Sequence, residues 1–192
     1  MDFYLCIFQY IKMKSSLRRE KKYVDEYVKT LKQYIVTTRY NNATWEKNKS
    51  FRQTKKMAAI YCSPVPVAKS IPFDALLFVI EMNNEENTIM GIGLVKNHPY
   101  CKTFTVHENQ NYNRYCYIGN HYISRQEMTE SEESIMIALD IMCFSGAKHM
   151  KRGNGLAMFP AILLYRCCAV LDFIDFFKEM FRKRRIESKI ST

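Results

Sequence analysis

The chain has no C-x-x-C pair, a single tryptophan, only six glycines and five prolines, and no apolar run long enough to cross a bilayer. Its apolar opening, Phe3 to Ile11, is about half of what a spanning helix needs and contains Gln9. Asp2 precedes that run and Lys12 and Lys14 follow it, the reverse of the charge order in a secretory signal. Met13 with the polar start behind it marks residues 1–12 as either an upstream start or a loosely attached strand. The seven cysteines, at 6, 62, 101, 116, 143, 167 and 168, lack a zinc or redox spacing, so most are expected to be reduced and buried as small hydrophobes. The Walker pattern G-x-x-x-x-G-K-[ST], a Ser-His-Asp ordering, internal repeats and low-complexity tracts are all missing. These absences argue against a P-loop nucleotidase, a disulfide scaffold and a solenoid, and they imply an intracellular setting, cytosolic or nuclear.

What is there is globular: 47% hydrophobic and 25% charged residues over 192 positions, enough to bury a core. The net charge of +10 is unevenly placed, with +10 over residues 1–72, −6 over 73–147 and +6 over 148–192. Basic ends around an acidic middle point to a phosphate-bearing partner or to solubility alone.

Apolar residues from Leu17 to Ile35 recur at helical spacing, which predicts a helix ending near Val36. Its basic face carries Arg18, Arg19, Lys21, Lys22, Lys29 and Lys32. Arg39 to Lys56, polar and holding Trp45, reads as a long loop or short helix. Met57 to Cys62 reads as a short strand stopped by Pro64 and Pro66. Ala75 to Met82 and Thr88 to Lys96, joined by an Asn-rich connection, predict a β-hairpin with Gly91 and Gly93 at a bulge or a close backbone approach. Further strands are expected at Thr103 to Val106, Arg114 to Ile118 and Tyr122 to Ser124. Thr129-Glu130-Ser131-Glu132 is a capping box opening a helix to about Phe144, with Gly146 its terminator. Pro160 begins another helix, and Asp172 to Arg185 forms a last one with a Phe-rich face. The expected class is α+β, a small antiparallel or mixed sheet or barrel flanked by N- and C-terminal helices. Residues 1–56 would form a basic helical extension and 57–192 the α+β domain, with strands in 57–124 and helices in 129–185.

The most distinctive segment is the loop from Gly146 to Gly155, in which Lys148, His149, Lys151 and Arg152 stand beside Gly153 and Gly155. Glycines admit a ligand close to the backbone and the cations supply charge, so a phosphate chain could dock there; the same loop could equally be a turn with solvated charges. Arg182, Lys183, Arg184 and Arg185 read either as a phosphate-binding or nuclear-import cluster or as cations favoured at a helix C-terminus. His98, Cys101, His107, Cys116 and His121 match no zinc spacing. Asp74 and Glu81 resemble the acids of a metal-dependent nuclease, but Asn83 stands where a lysine is needed. Cys167-Cys168 reads as core rather than nucleophile. No catalytic residue, metal or cofactor is predicted.

The run Glu81 to Asn84 and Ile89 to Asn97, then His149 to Gly155 and the Phe-rich basic end, resembles an uncharacterised protein family of large nucleocytoplasmic DNA viruses over residues 58–185. The resemblance implies host cytoplasm, nucleus or virion and transfers no activity. A more distant likeness, carried by Leu77 to Met82 and Ile89 to Val95, is to the PUA-like barrels, the group with ASCH, EVE and YTH domains. That likeness implies a small barrel that grips nucleic acid. YTH domains close an aromatic cage with tryptophans, and with Trp45 alone the likeness extends to the barrel and not to that pocket. The leading expectation is a non-enzymatic nucleic-acid-binding accessory protein, of DNA or RNA. The alternatives are a virion or host-interaction protein using the Phe-rich terminal helix as its partner surface, and a nuclease or nucleotide-modifying enzyme.

Overall fold

The computed structural model describes residues 17–101 and 104–190, with side chains described for 20–101 and 104–185. The expectations for residues 1–12 and for Lys102 and Thr103 lie outside this range. The chain forms two compact units, one of residues 34–158 and one built from the segments before and after it.

In the larger unit, β1 (Gln33–Tyr40) replaces the end of the helix that the apolar spacing predicts. Tyr34 through Thr38 are buried in succession, and a β-branched run covered on both faces favours strand over helix. Helix α1 (Leu17–Thr30) therefore stops six residues short of Val36. The polar stretch behind β1 is a full helix, α2 (Asn42–Lys55). Asn41 accepts from the Thr44 amide while the Thr44 hydroxyl accepts from the Asn41 amide, a capping box, and Lys56 ends the helix at φ 52°. Strand and helix thus place residues 34–56 in the larger compact unit.

Strand β2 (Ala59–Ser63) precedes the hairpin of β3 (Leu76–Asn83) and β4 (Thr88–Lys96). The hairpin register shifts between Glu81, opposite Gly91, and Met82, opposite Ile89, so Met90 is the extra residue of a bulge. Gly93 is there because the chain passes close to the Tyr61 phenol, which a Cβ would strike. β5 (Tyr100–Cys101), β6 (Tyr115–Gly119) and β7 (His121–Ser124) follow. Phe104 to Val106, placed in a strand by the sequence, are not in one. The order is β7-β4-β3-β1-β8 in one sheet, where β8 is Ala157–Met158, and β2-β6-β5 in the other. Only Asn120 separates β6 from β7, so one extended segment crosses from the smaller sheet to the larger. Among the described residues the sheets do not close into a barrel.

Helix α3 (Glu130–Phe144) starts on the Thr129 capping box and ends at Ser145, with Gly146 at φ 77° beyond it. Asp140 on α3 accepts from the Ile89 amide at 2.7 Å and from Arg125, which also holds Glu133. This ties the helix to the hairpin edge.

The smaller unit contains α1, α4 (Ala161–Cys167) and α5 (Phe173–Ile190). The predicted helix from Pro160 breaks after Cys167, and Asp172 caps the next by accepting from the Ile174 and Asp175 amides. Glu20 and Arg166 pair at 2.7 Å, and Tyr27 and Tyr165 lie 5.9 Å apart. Phe173, Ile174, Phe177 and Met180 are buried, so these four side chains of the apolar face are core. The whole is α+β with helices at both ends of the chain, as the composition and patterning predict.

Candidate nucleic-acid interface

Two of the larger unit's cavities bring arginines to their walls, and they differ in how those charges are matched. The first, about 480 Å³, is lined by Trp45, Lys49, Arg52, Tyr122 and Arg125 among others. Behind it lies Glu81, fully buried on β3. Its carboxylate accepts from Arg52 at 3.1 Å, Tyr61 at 2.9 Å, Tyr122 at 3.0 Å and Trp45 Nε1 at 3.2 Å. Burial alone would lower the Arg52 guanidinium, but the facing Glu81 holds it above its ordinary value. Burial, then Glu81, raises both phenols, which therefore stay protonated as donors. Arg125 is likewise held by Glu133 and Asp140. Both arginines of this cavity are neutralised from within. Glu81, considered as a metal-binding acid on the sequence, is committed to four donors.

The second cavity, about 510 Å³, is lined by Thr38, Arg39, Asn84, His107, Tyr112 and Gly155, among others. Arg39 comes from the last turn of β1 before α2 and is half-buried. Its Nε donates to the Met150 carbonyl at 2.6 Å, Nη2 to the Thr37 hydroxyl at 3.0 Å and Nη1 to the Thr37 carbonyl at 3.4 Å. A guanidinium has five N–H groups, so with three donated one remains on each terminal nitrogen for an entering acceptor. Among the described residues no carboxylate pairs with Arg39, and burial lowers its pKa. A neighbouring acceptor is also unmet, since Asn84 Oδ1 is buried without a partner. Burial, then Lys47, lowers His107, keeping its ring neutral near pH 7.

Gly155 of the Gly-rich loop lines this cavity, and other loop residues are tied to the residues around it. Asn84 Nδ2 donates to the Lys151 carbonyl at 3.1 Å, Tyr112 donates to Asn154 at 3.3 Å, and Met150 N donates to the Cys143 carbonyl at 2.6 Å. Gly155, at φ 63°, lies so close to Ser63 that a Cβ would collide with the hydroxyl. Gly153, at φ 113°, leaves space beside the Arg39 guanidinium. Lys148 and Arg152 are exposed, and no acid pairs with them among the described residues. Lys151 Nζ lies over the Phe144 ring at 5.9 Å, and His149 Nδ1 accepts from the Lys151 amide.

The other predicted cations belong to the smaller unit. Lys22 is exposed on α1, while the side chains of Arg18 and Arg19 lie outside the described residues. On α5, Arg182 pairs with Glu179, Arg184 donates to the Met180 carbonyl, and Lys183 and Arg185 are exposed. The five His and Cys residues weighed for zinc do not converge; His98 contacts Asp74 and Cys116 contacts Cys62. The sequence singles out the loop but not Arg39, Asn84, His107 and Tyr112, which line the cavity beside Gly155. The one available signal was an arginine inside an apolar β-branched run, Tyr34 to Tyr40, which a helix assignment hides. No family model, no curated protein and no solved structure matches the chain.

Proposed function

We propose that this protein binds nucleic acid without catalysing a reaction, holding a phosphate at Arg39 while Lys148, Lys151 and Arg152 meet neighbouring phosphates. The observation that carries this reading is the half-buried Arg39 guanidinium, which donates to the Met150 carbonyl and to Thr37 and makes no ion pair among the described residues. A desolvated cation left unpaired is costly, and an entering anion relieves that cost. Backbone contacts of this kind position a strand without reading its bases. The hairpin and loop resemblance adds a large DNA virus as the setting.

Fluorescence anisotropy with labelled DNA and RNA, single- and double-stranded, at low salt tests the proposal. Binding should weaken steeply with salt, and Lys151→Glu with Arg152→Glu should weaken it at least roughly tenfold and reduce the salt slope by about one per lost contact. Arg39→Gln should do the same at unchanged thermal stability of the loop variants. No binding to any of the four probes at low salt overturns the reading. Binding that ignores all three substitutions removes this cavity as the site.

A further inference from the structure

Cys62 on β2 and Cys116 on β6 are directly opposite in the antiparallel register. Their sulfurs are 2.9 Å apart, closer than unbonded sulfurs normally rest. Residues facing each other across such a ladder have Cα atoms roughly 4.5–5.5 Å apart, within the roughly 4.4–6.8 Å that a disulfide spans. Both are free thiols here. The pair sits in a small cluster with Ile60 and Val106, under Phe51, Met57, Phe104 and Ile118. Apolar surroundings of this kind hold the two sulfurs together, and Cys116 Sγ also donates to the Asn113 carbonyl at 3.7 Å.

We infer that Cys62 and Cys116 form a reversible dithiol site that small peroxides oxidise to a cross-strand disulfide. Three observations converge on this: register, contact and access. Access comes from Cys62, which lines the Arg39 cavity and is 6% exposed, whereas Cys116 is sealed. The hydrogen bond with Cys62 lowers the Cys116 thiol from its ordinary value against the opposing effect of burial. One sulfur attacks a peroxide oxygen, the O–O bond breaks, and water leaves a sulfenic acid. The second sulfur then attacks the first, the S–S bond forms, and the hydroxyl departs as another water carrying the remaining thiol proton. Two thiols and one hydrogen peroxide thus give one disulfide and two waters. Because the sulfurs already touch, β2 and β6 hardly move. The inference stands on the strand pair and is independent of nucleic-acid binding.

The test uses the full chain, treated with hydrogen peroxide under native conditions, then alkylated with iodoacetamide in denaturant and digested without reduction. The expected result is a peptide linking Cys62 to Cys116, a mass lower by about 2 Da relative to the dithiol, and full reversal by dithiothreitol. Cys101, which is exposed, reports that oxidant was present. Cys62→Ser removes the linked peptide and leaves Cys116 to trap as a sulfenic acid or to alkylate. If Cys101 is oxidised while Cys62 and Cys116 both remain alkylated, the inference is overturned. Linkage of Cys62 to a different cysteine overturns it as well.

Discussion

Replacing Glu81 by Gln keeps the size of the side chain and removes its charge, which isolates the electrostatic role of the buried centre. Arg52 is 6% exposed on its side chain and Glu81 is fully buried, so the substitution strands a guanidinium where water cannot reach it. Breaking a buried pair in this way costs about 3–5 kcal/mol. The amide also turns two N–H donors toward a set of groups that all donate: Arg52, Tyr61, Tyr122 and Trp45. Each carboxylate oxygen accepts from two of the four, so whichever oxygen becomes the NH2 leaves two donors without that acceptor. For a chain of this size each kcal/mol moves Tm by roughly 2–4 °C, so the drop should be roughly 6–20 °C. Trp45 is the sole tryptophan and donates to Glu81, so its fluorescence reports unfolding at the perturbed place. Urea titration followed by that fluorescence and by circular dichroism measures the change. The double variant Glu81→Leu with Arg52→Met, which removes both charges, should be less destabilised than Glu81→Gln alone. A Glu81→Gln loss below about 1 kcal/mol, or a double variant worse than the single, would refute the reasoning.

The remaining predictions are narrower. Gly155→Ala meets both a left-handed backbone at φ 63° and the Ser63 hydroxyl, whereas Gly146→Ala meets only a φ of 77° with open space around it. The first should cost more than the roughly 1–2 kcal/mol of the backbone penalty and the second no more than that, measured as the difference in urea midpoint. Because His107 is depressed by burial and by Lys47, the unfolded chain binds its proton more readily than the folded one. The stability it contributes is therefore present above about pH 6.5 and lost as pH falls through its lower folded value. Urea midpoints taken from pH 8 to pH 5 should fall on the acid side, and His107→Gln should flatten that part of the curve.

The fold was legible wherever local and global preferences agree. The hairpin from Leu76 to Lys96 combines a β-rich run on each side with an Asn-rich connection, and the bulge at Met90 lies next to a predicted glycine. Helix α3 announces itself through Thr129 and Glu132, which cap each other. Two segments were misread because the deciding term is long-range. Tyr34 and Ile35 fit a helical stripe begun at Leu17, and only pairing with β3 and β8 reveals why Tyr34 to Thr38 are all covered. Asn42 to Lys55 has weak helix formers, and a cap between Asn41 and Thr44 together with the burial of Asn48 and Arg52 against the sheet supplies what propensity lacks.

The same distinction explains what the charge pattern could say about the site. Counting lysines and arginines along the chain treats all of them as equivalent, yet their environments divide them sharply. Arg52, Arg125 and Arg166 are matched by Glu81, by Glu133 and Asp140, and by Glu20, and such charges serve the fold. Arg182 is matched within its own helix turn. Arg39, absent from every cluster the sequence suggested, donates to carbonyl and hydroxyl oxygens and makes no ion pair among the described residues. Its placement depends on a residue 111 positions away, where the Met150 carbonyl accepts from Nε while both terminal nitrogens donate to Thr37. The Gly-rich loop therefore contributes more than its own cations. By folding over β1 it orients a charge that no linear reading assigned to it, and that orientation is what turns a basic segment into a place where a phosphate could be held.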